Sequence, residues 1–309
     1  MELTHSDIKA AVARVAGQVR PIALADDGQL CLALEFLQHT GSFKARGALN
    51  FLLTHRENGT LPDAGVTIAS GGNAGLACAW AARSQGVRAT VFLPTTAPKV
   101  KVDRLHSYGA EVTLIGTQYA DALAASREFA ATTGALLSHA YDNPLIAAGA
   151  GTLMEEIHQR LSDLDTVVVA VGGGGLFAGV ATAADHYGVR TIAVEPSRCR
   201  ALNASIEAGQ LVDVDIDSIA ADSLGARRAT ELALYAAQTY NVTSVLVDDA
   251  DIIAARRASW EDRRLVVEYG AATALAALRG DNPPFRPEPG ERVCVVVCGA
   301  NTDPADLTT

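Results

Sequence analysis

Short apolar runs alternate with helical stretches along almost the whole chain. Eight runs read as strands: 30–36, 66–69, 89–93, 111–115, 166–171, 191–194, 244–247 and 293–297. Most are continuously apolar and β-branched rather than alternating, as expected of strands covered on both faces. Between them, helical patterns fall at 45–55, 74–85, 99–108, 121–132, 144–161, 176–186, 224–238, 250–262 and 271–278. The alternation predicts parallel βαβ units wound on both sides of a sheet, an α/β fold. From about 65 to 140 the repeat of strand and helix is uninterrupted. That stretch reads as a small domain, 56–140, set into a large domain made of 1–55 and 141–309. The Pro/Gly-rich tract 281–290 reads as an exposed connection before the last strand, and no appended regulatory domain is expected after it.

Composition narrows the function. The 309 residues are 49% hydrophobic but only 5% aromatic, which suits layers packed from small aliphatic side chains. Net charge is −10 with no Lys/Arg cluster, so no nucleic-acid partner is expected. No apolar run approaches the ~20 residues of a membrane span, and no basic-then-apolar leader opens the chain. Cys31, Cys78, Cys199, Cys294 and Cys298 are odd in number and lack metal-ligand spacing. Cys294 and Cys298, four apart in the last predicted strand, are expected to share a face. A reduced, cytoplasmic enzyme is the expectation.

Four loops could carry chemistry. The chain has only four lysines, and Lys44 alone sits in a Gly-flanked turn, Thr40-Gly41-Ser42-Phe43-Lys44. Desolvation there would favour the neutral amine, making Lys44 a candidate Schiff-base former; a solvent-reaching lysine at a helix start is the plainer alternative. Ser70-Gly71-Gly72-Asn73-Ala74-Gly75 follows a strand and opens a helix, reading equally as an anion site or as a plain cap with Asn73 at the N-cap. Gly172, Gly173, Gly174 and Gly175 exceed what a turn needs, a surplus that suits backbone N–H groups wrapped around a phosphate. Gly173, Gly175 and Ala178 also match a dinucleotide fingerprint, with Glu195 in the ribose position, which would make the chain an NAD-dependent oxidoreductase. Cys298-Gly299-Ala300-Asn301 ends the last strand, where a thiol could face a pocket or be a small buried hydrophobe.

In this order, Ser42-Phe43-Lys44-Ala45-Arg46-Gly47-Ala48, the Ser70–Gly75 loop, the tetraglycine with Leu176, and Cys298-Gly299-Ala300-Asn301 resemble the fold-type II pyridoxal-phosphate enzymes. The branch is that of serine/threonine dehydratases and serine racemases. The resemblance implies a tryptophan-synthase-β-like fold: two doubly wound α/β domains with pyridoxal 5'-phosphate between them. It implies that Lys44 carries the cofactor and serves as the base at the substrate Cα, and that Phe43 packs on the ring. Asn73 would bond the cofactor's 3-hydroxyl, and Cys298 would face the ring nitrogen. Ser70, Gly71, Asn73 and Ala74 would hold the substrate carboxylate. Gly172, Gly173, Gly174, Gly175 and Leu176 would hold the phosphate.

The implied reaction is loss of water and ammonia from L-threonine or L-serine, with 3-hydroxyaspartate as a further substrate, in a homodimer. A cofactor-bearing but non-catalytic binding protein of the same fold is another possibility. Racemases of this branch carry a serine two before the loop asparagine. Gly71 stands there and cannot transfer protons, so a dehydratase is favoured. Some members bind a divalent cation through a glutamate and an aspartate six residues on. Glu195 is present but position 201 is alanine, Ala201, and no metal is expected.

Overall fold

The computed structural model describes residues 2–307, so the outer limits of the domain division, 1 and 309, lie outside the described residues. Ten strands form two sheets. The strands are β1 (Leu24–Asp26), β2 (Leu30–Ala33), β3 (Val66–Ala69), β4 (Ala89–Leu93), β5 (Glu111–Leu114), β6 (Leu136–Leu137), β7 (Thr166–Ala170), β8 (Arg190–Pro196), β9 (Val242–Val247) and β10 (Val293–Val296). The large sheet runs β1-β2-β10-β7-β8-β9 and the small one β5-β4-β3-β6. All pairings are parallel except β1 with β2.

The helices are α1 (His5–Val15), α2 (Lys44–Glu57), α3 (Asn73–Ser84), α4 (Lys99–Ser107), α5 (Tyr119–Thr133), α6 (Pro144–Arg160), α7 (Gly175–His186), α8 (Ala201–Ala208), α9 (Ala221–Leu224), α10 (Glu231–Thr239), α11 (Asp249–Arg263) and α12 (Tyr269–Ala276). Strands β3, β4, β7 and β10 are buried along their whole length, which is why their sequences are unbroken apolar runs. Each sheet sits in its own core. Val167, Val168, Ile192 and Val295 centre the large one, and Val66, Ile68, Val91 and Leu49 of α2 the small one.

The sequence pattern misses four elements and misreads one. Strands β1 and β6 have three and two residues, too few to show a period. Helix α1 is short but carries a full capping box, Thr4 with Asp7. Helix α8 closes on Gly209 in the left-handed region. The single helix expected over 224–238 is two pieces, α9 and α10. Gly225 lies so close to Ala221 O that a Cβ would overlap it, and Thr230 starts a new helix by accepting from Ala233 N. The 281–290 tract is exposed as expected except for Phe285, which is buried under the Arg190 guanidinium at 5.3 Å from its ring centroid.

Candidate active site

Loops that follow β3, β4, β7 and β10 converge on one cavity of about 920 Å³ between the two sheets. Those are the carboxyl ends of parallel strands, where ligands of open α/β sheets bind. Lys44, Asn73, the four glycines and Cys298 all line it.

Lys44 is the first residue of α2, and its Nζ donates to Ala140 O at 2.7 Å. The ammonium lies 4.8 Å from the Phe43 ring centroid. Burial pushes its pKa down to about 8, and the neighbouring Cys298 and Glu268 side chains act against that shift. The half-buried side chain thus bonds inside the cavity rather than reaching along the surface, and desolvation favours its neutral form. The turn that sets Lys44 is unusual. Thr40 has φ 65, a left-handed conformation that costs a non-glycine residue on the order of 1 kcal/mol. The turn is stitched to the end of β10: Phe43 N donates to Cys298 O and Ala300 N to Gly41 O, both at 3.0 Å. These bonds bring Lys44 and Cys298 into one cavity from opposite ends of the sequence.

At the second loop the helix cap is Gly72, and Asn73 is the first residue of α3. This corrects the expectation of Asn73 as N-cap. Its side chain leaves the helix N–H groups free and points elsewhere: Nδ2 donates to Glu268 Oε1 and Oε2 at 2.9 and 3.0 Å. Ser70, Gly71 and Ala74 line the same cavity wall. A Cβ on Gly71 would stand 2.9 Å from Leu93, so the position has no room for a second acid/base side chain without displacing that leucine.

The tetraglycine leads into the first turn of α7, whose N–H groups have no intrahelical acceptors. Its composition has a packing cause beside the anion-binding one. A Cβ on Gly173 would overlap the Tyr141 ring, one on Gly174 (φ 96) would overlap Ala233, and one on Gly172 would stand 2.9 Å from Leu224 Cα. The result is a bare-backbone cradle, closed from behind, at a positive helix end, with Leu176 in its first turn.

Cys298 lies beyond β10, which ends at Val296, so it does not share a strand face with Cys294 as expected. The two separate: Cys294 pairs in register with Cys31, and Cys298 turns to the cavity. Burial pushes the Cys298 thiol far up, keeping it neutral. The dinucleotide reading fails at Glu195. That side chain is 0% exposed, and its two oxygens accept from Leu202 N and Asn203 N at 2.8 and 2.7 Å, tying down α8. It presents nothing to a ribose. Ala201 opens the same helix.

From the sequence, Glu268-Tyr269-Gly270 offers a contact to the substrate side chain or, more simply, a solvated loop and cap, and Glu268 is assigned no place beside Lys44. It does precede α12, but its side chain makes no cap and is buried beside Lys44, Asn73 and Cys298. Burial raises its pKa; the Asn73 bond acts against that shift. No local signal marks it, because its surroundings come from residues far away in sequence. Across the mouth, Lys101 of α4 pairs with Asp222 of α9 at 2.9 Å.

Comparison with known proteins agrees with this geometry. Residues 19–299 match the family model described as pyridoxal-phosphate dependent enzyme. An L-threonine ammonia-lyase of Geobacter sulfurreducens is 37% identical over 271 residues, 87% of this chain and 66% of that protein. The chain thus spans just under two thirds of that relative's length. A human serine dehydratase-like protein is 36% identical over 285 residues, 87% of this chain and 84% of its own length. Maize serine racemase superposes with a TM-score of 0.91 at 28% identity, covering 99% of this chain and 95% of that one. With a lysine, a glycine cradle and a strand-end thiol meeting between two parallel sheets, and a family match over most of its length, the chain belongs to the pyridoxal-phosphate dependent enzymes and has the fold-type II architecture.

Proposed function

We propose that the protein is an ammonia-lyase that uses pyridoxal 5'-phosphate to convert L-threonine or L-serine to a 2-oxo acid and ammonia. The observation that carries this reading is the half-buried Lys44 amine, its pKa lowered to about 8, in a cavity whose far wall is a side-chain-free cradle. The cradle fits a phosphate: Gly172 to Gly175 and Leu176 would offer it backbone N–H groups at a helix start. When bound, the cofactor supplies an aldehyde for the substrate amine and a ring that withdraws electrons from the substrate Cα.

The chain's own residues do the rest. Lys44 Nζ takes the Cα proton, and its lowered pKa suits a base at neutral pH. Ser70, Gly71, Asn73 and Ala74 would hold the substrate carboxylate at the start of α3, and Phe43 would pack on the cofactor. Cys298 offers the ring a neutral thiol; a carboxylate there would stabilise negative charge on the ring better, so the thiol favours elimination over transamination. Gly71 removes the second proton donor a racemase needs. Lys101 and Arg104 at the cavity wall suit a substrate with a second carboxylate, which puts 3-hydroxyaspartate beside threonine and serine.

In this reading residues 1–55 and 141–309 form the cofactor domain and 56–140 the small domain. The enzyme acts in the cytoplasm as a homodimer, and its five free buried cysteines suit a reducing compartment. Among the described residues no helix is long and apolar enough to cross a membrane. The test is 2-oxo acid release from a panel of hydroxy-amino acids by the yellow, cofactor-loaded protein. Lys44→Ala is expected to abolish turnover while the protein stays folded. Colourless protein that gains no absorbance with added cofactor, or residual turnover in Lys44→Ala above about a thousandth of wild type, sinks the proposal.

A further inference from the structure

Asn73 is not free to choose its orientation. Asn301 Nδ2 donates to Thr40 O at 2.8 Å, and the same nitrogen donates to Asn73 Oδ1 at 2.5 Å. Asn73 Nδ2 in turn donates to both oxygens of Glu268. The order of this chain is set at its Thr40 end, because a peptide carbonyl only accepts. The Asn301 nitrogen must face Thr40 and Asn73; the Asn73 oxygen must then face Asn301 and its nitrogen Glu268. A carboxyl group keeps an acceptor oxygen whether or not it is protonated, so the order is independent of the Glu268 charge.

Two glycines make room for this arrangement. A Cβ on Gly41 would stand 2.7 Å from Asn301 Oδ1, and one on Gly299 would overlap the Glu268 carboxylate. Thr40 delivers its carbonyl from the left-handed turn already described. Asn73, Glu268 and Asn301 all line the cavity that holds Lys44.

We infer that Asn301 and Glu268 are positioning residues that lock the Asn73 amide so that it offers the cavity an N–H donor, matched to an acceptor oxygen on the bound molecule. This rests on the reading that the cavity takes pyridoxal 5'-phosphate, whose ring hydroxyl is such an oxygen. Asn73 has two N–H bonds and Glu268 needs one, so the second is available to the ligand.

The test compares purified wild type with four variants. Readouts are pyridoxal 5'-phosphate affinity by absorbance titration, the absorption spectrum of the bound cofactor, and the melting temperature of the cofactor-free protein. Asn301→Asp puts an acceptor against the Asn73 oxygen and turns the amide over. It is expected to weaken cofactor binding about tenfold or more, to alter the visible band, and to lower the melting temperature. Asn301→Ala only frees the amide, so its loss should be smaller. Glu268→Gln keeps an acceptor and should bind within about threefold of wild type.

The decisive variant is Asn301→Asp with Glu268→Gln. Both Asn73 bonds can form with the polarity reversed and only the Thr40 O bond stays lost, so it should recover part of the melting temperature but neither affinity nor spectrum. Recovery of affinity and spectrum together with stability, or an Asn301→Asp protein that binds and absorbs like wild type, overturns the inference alone. If Asn301→Asp fails to fold, Asn301→Ala with wild-type affinity and spectrum overturns it. A wild type that takes up no cofactor overturns the proposed function as well.

Discussion

Glu195 and Glu268 are both buried carboxylates, and they have opposite fates. Their exposures are 0% and 7%, and burial raises the pKa of both. By burial and titration they look alike. Their partners separate them. Glu195 accepts from two main-chain N–H groups that cannot turn, and nothing reaches it from the cavity. Glu268 accepts from Asn73, a side chain that itself faces the cavity, and lies beside Lys44. Here the perturbed buried acid that marks the site is the one whose partner is a side chain that itself faces the cavity.

The sharpest way to break that distinction is to remove each carboxylate in turn. Glu195→Ala leaves two buried N–H groups without acceptors and a void, an expected loss of roughly 3–5 kcal/mol of stability. Its folded fraction should keep turnover within about threefold of wild type. Glu268→Ala should do the reverse: stability within about 1 kcal/mol, and kcat/KM down by about a hundredfold as Asn73 loses its acceptor and Lys44 a neighbouring charge. Denaturant melts and steady-state assays on the same preparations check both. Matching profiles for the two variants would erase the comparison.

A second expectation follows from proton linkage. Glu195 carries its proton to about pH 7 when folded, against an ordinary value of 4.5. Between these values the unfolded chain binds fewer protons, so stability falls as pH rises. The contribution is complete below 4.5 and is lost through 7. Its size is at most roughly 3 kcal/mol, at about 1.4 kcal/mol per unit. Lys44, with a native value near 8, is largely protonated in both states over that window and adds little slope. Glu195→Gln should flatten the decline measured by denaturation of the cofactor-free protein at pH 5, 6 and 7. Glu268 is shifted in the same direction, so the double variant should be flattest. His39, His55 and His139, shifted down by burial, tilt the wild-type curve the other way, so the readout is the difference between Glu195→Gln and wild type; equal slopes would show that the two N–H bonds offset burial at Glu195.

What the sequence reveals tracks where each constraint lies. Strands such as Val66–Ala69 and Ala89–Leu93 are legible because cover on both faces writes a continuous apolar run. The tetraglycine is legible because Tyr141, Ala233 and the helix start all exclude side chains at once. Lys44 stands out because its turn needs glycine. Glu268 is silent, since its role is set by Asn73, 195 residues away, and by the space that Gly299 leaves. Asn301 is silent for the same reason, and its partner Thr40 gives no warning of a left-handed backbone. Glu195 misled because spacing after glycines says nothing about which backbone later folds over the carboxylate. Helix α1 was available from Thr4 and Asp7, whose capping box is a local signal.

Asp222 extends the comparison to the exposed end. Its side chain is 77% exposed and pairs with Lys101, 37% exposed, at 2.9 Å across the cavity mouth. Water screens both charges, and holding two mobile side chains together offsets most of the attraction, so such a pair contributes about 0–1 kcal/mol. Asp222→Asn is therefore expected to lose less than about 0.5 kcal/mol, and the difference should vanish at 1 M salt, where screening acts over ~3 Å. Denaturation of wild type and variant at low and high salt measures this directly. If partner chemistry ranks these carboxylates, the exposed one must come last in stability, behind Glu195 by several-fold in free energy. A loss above about 2 kcal/mol that salt leaves unchanged would place Asp222 with Glu195, because only a desolvated bond escapes screening.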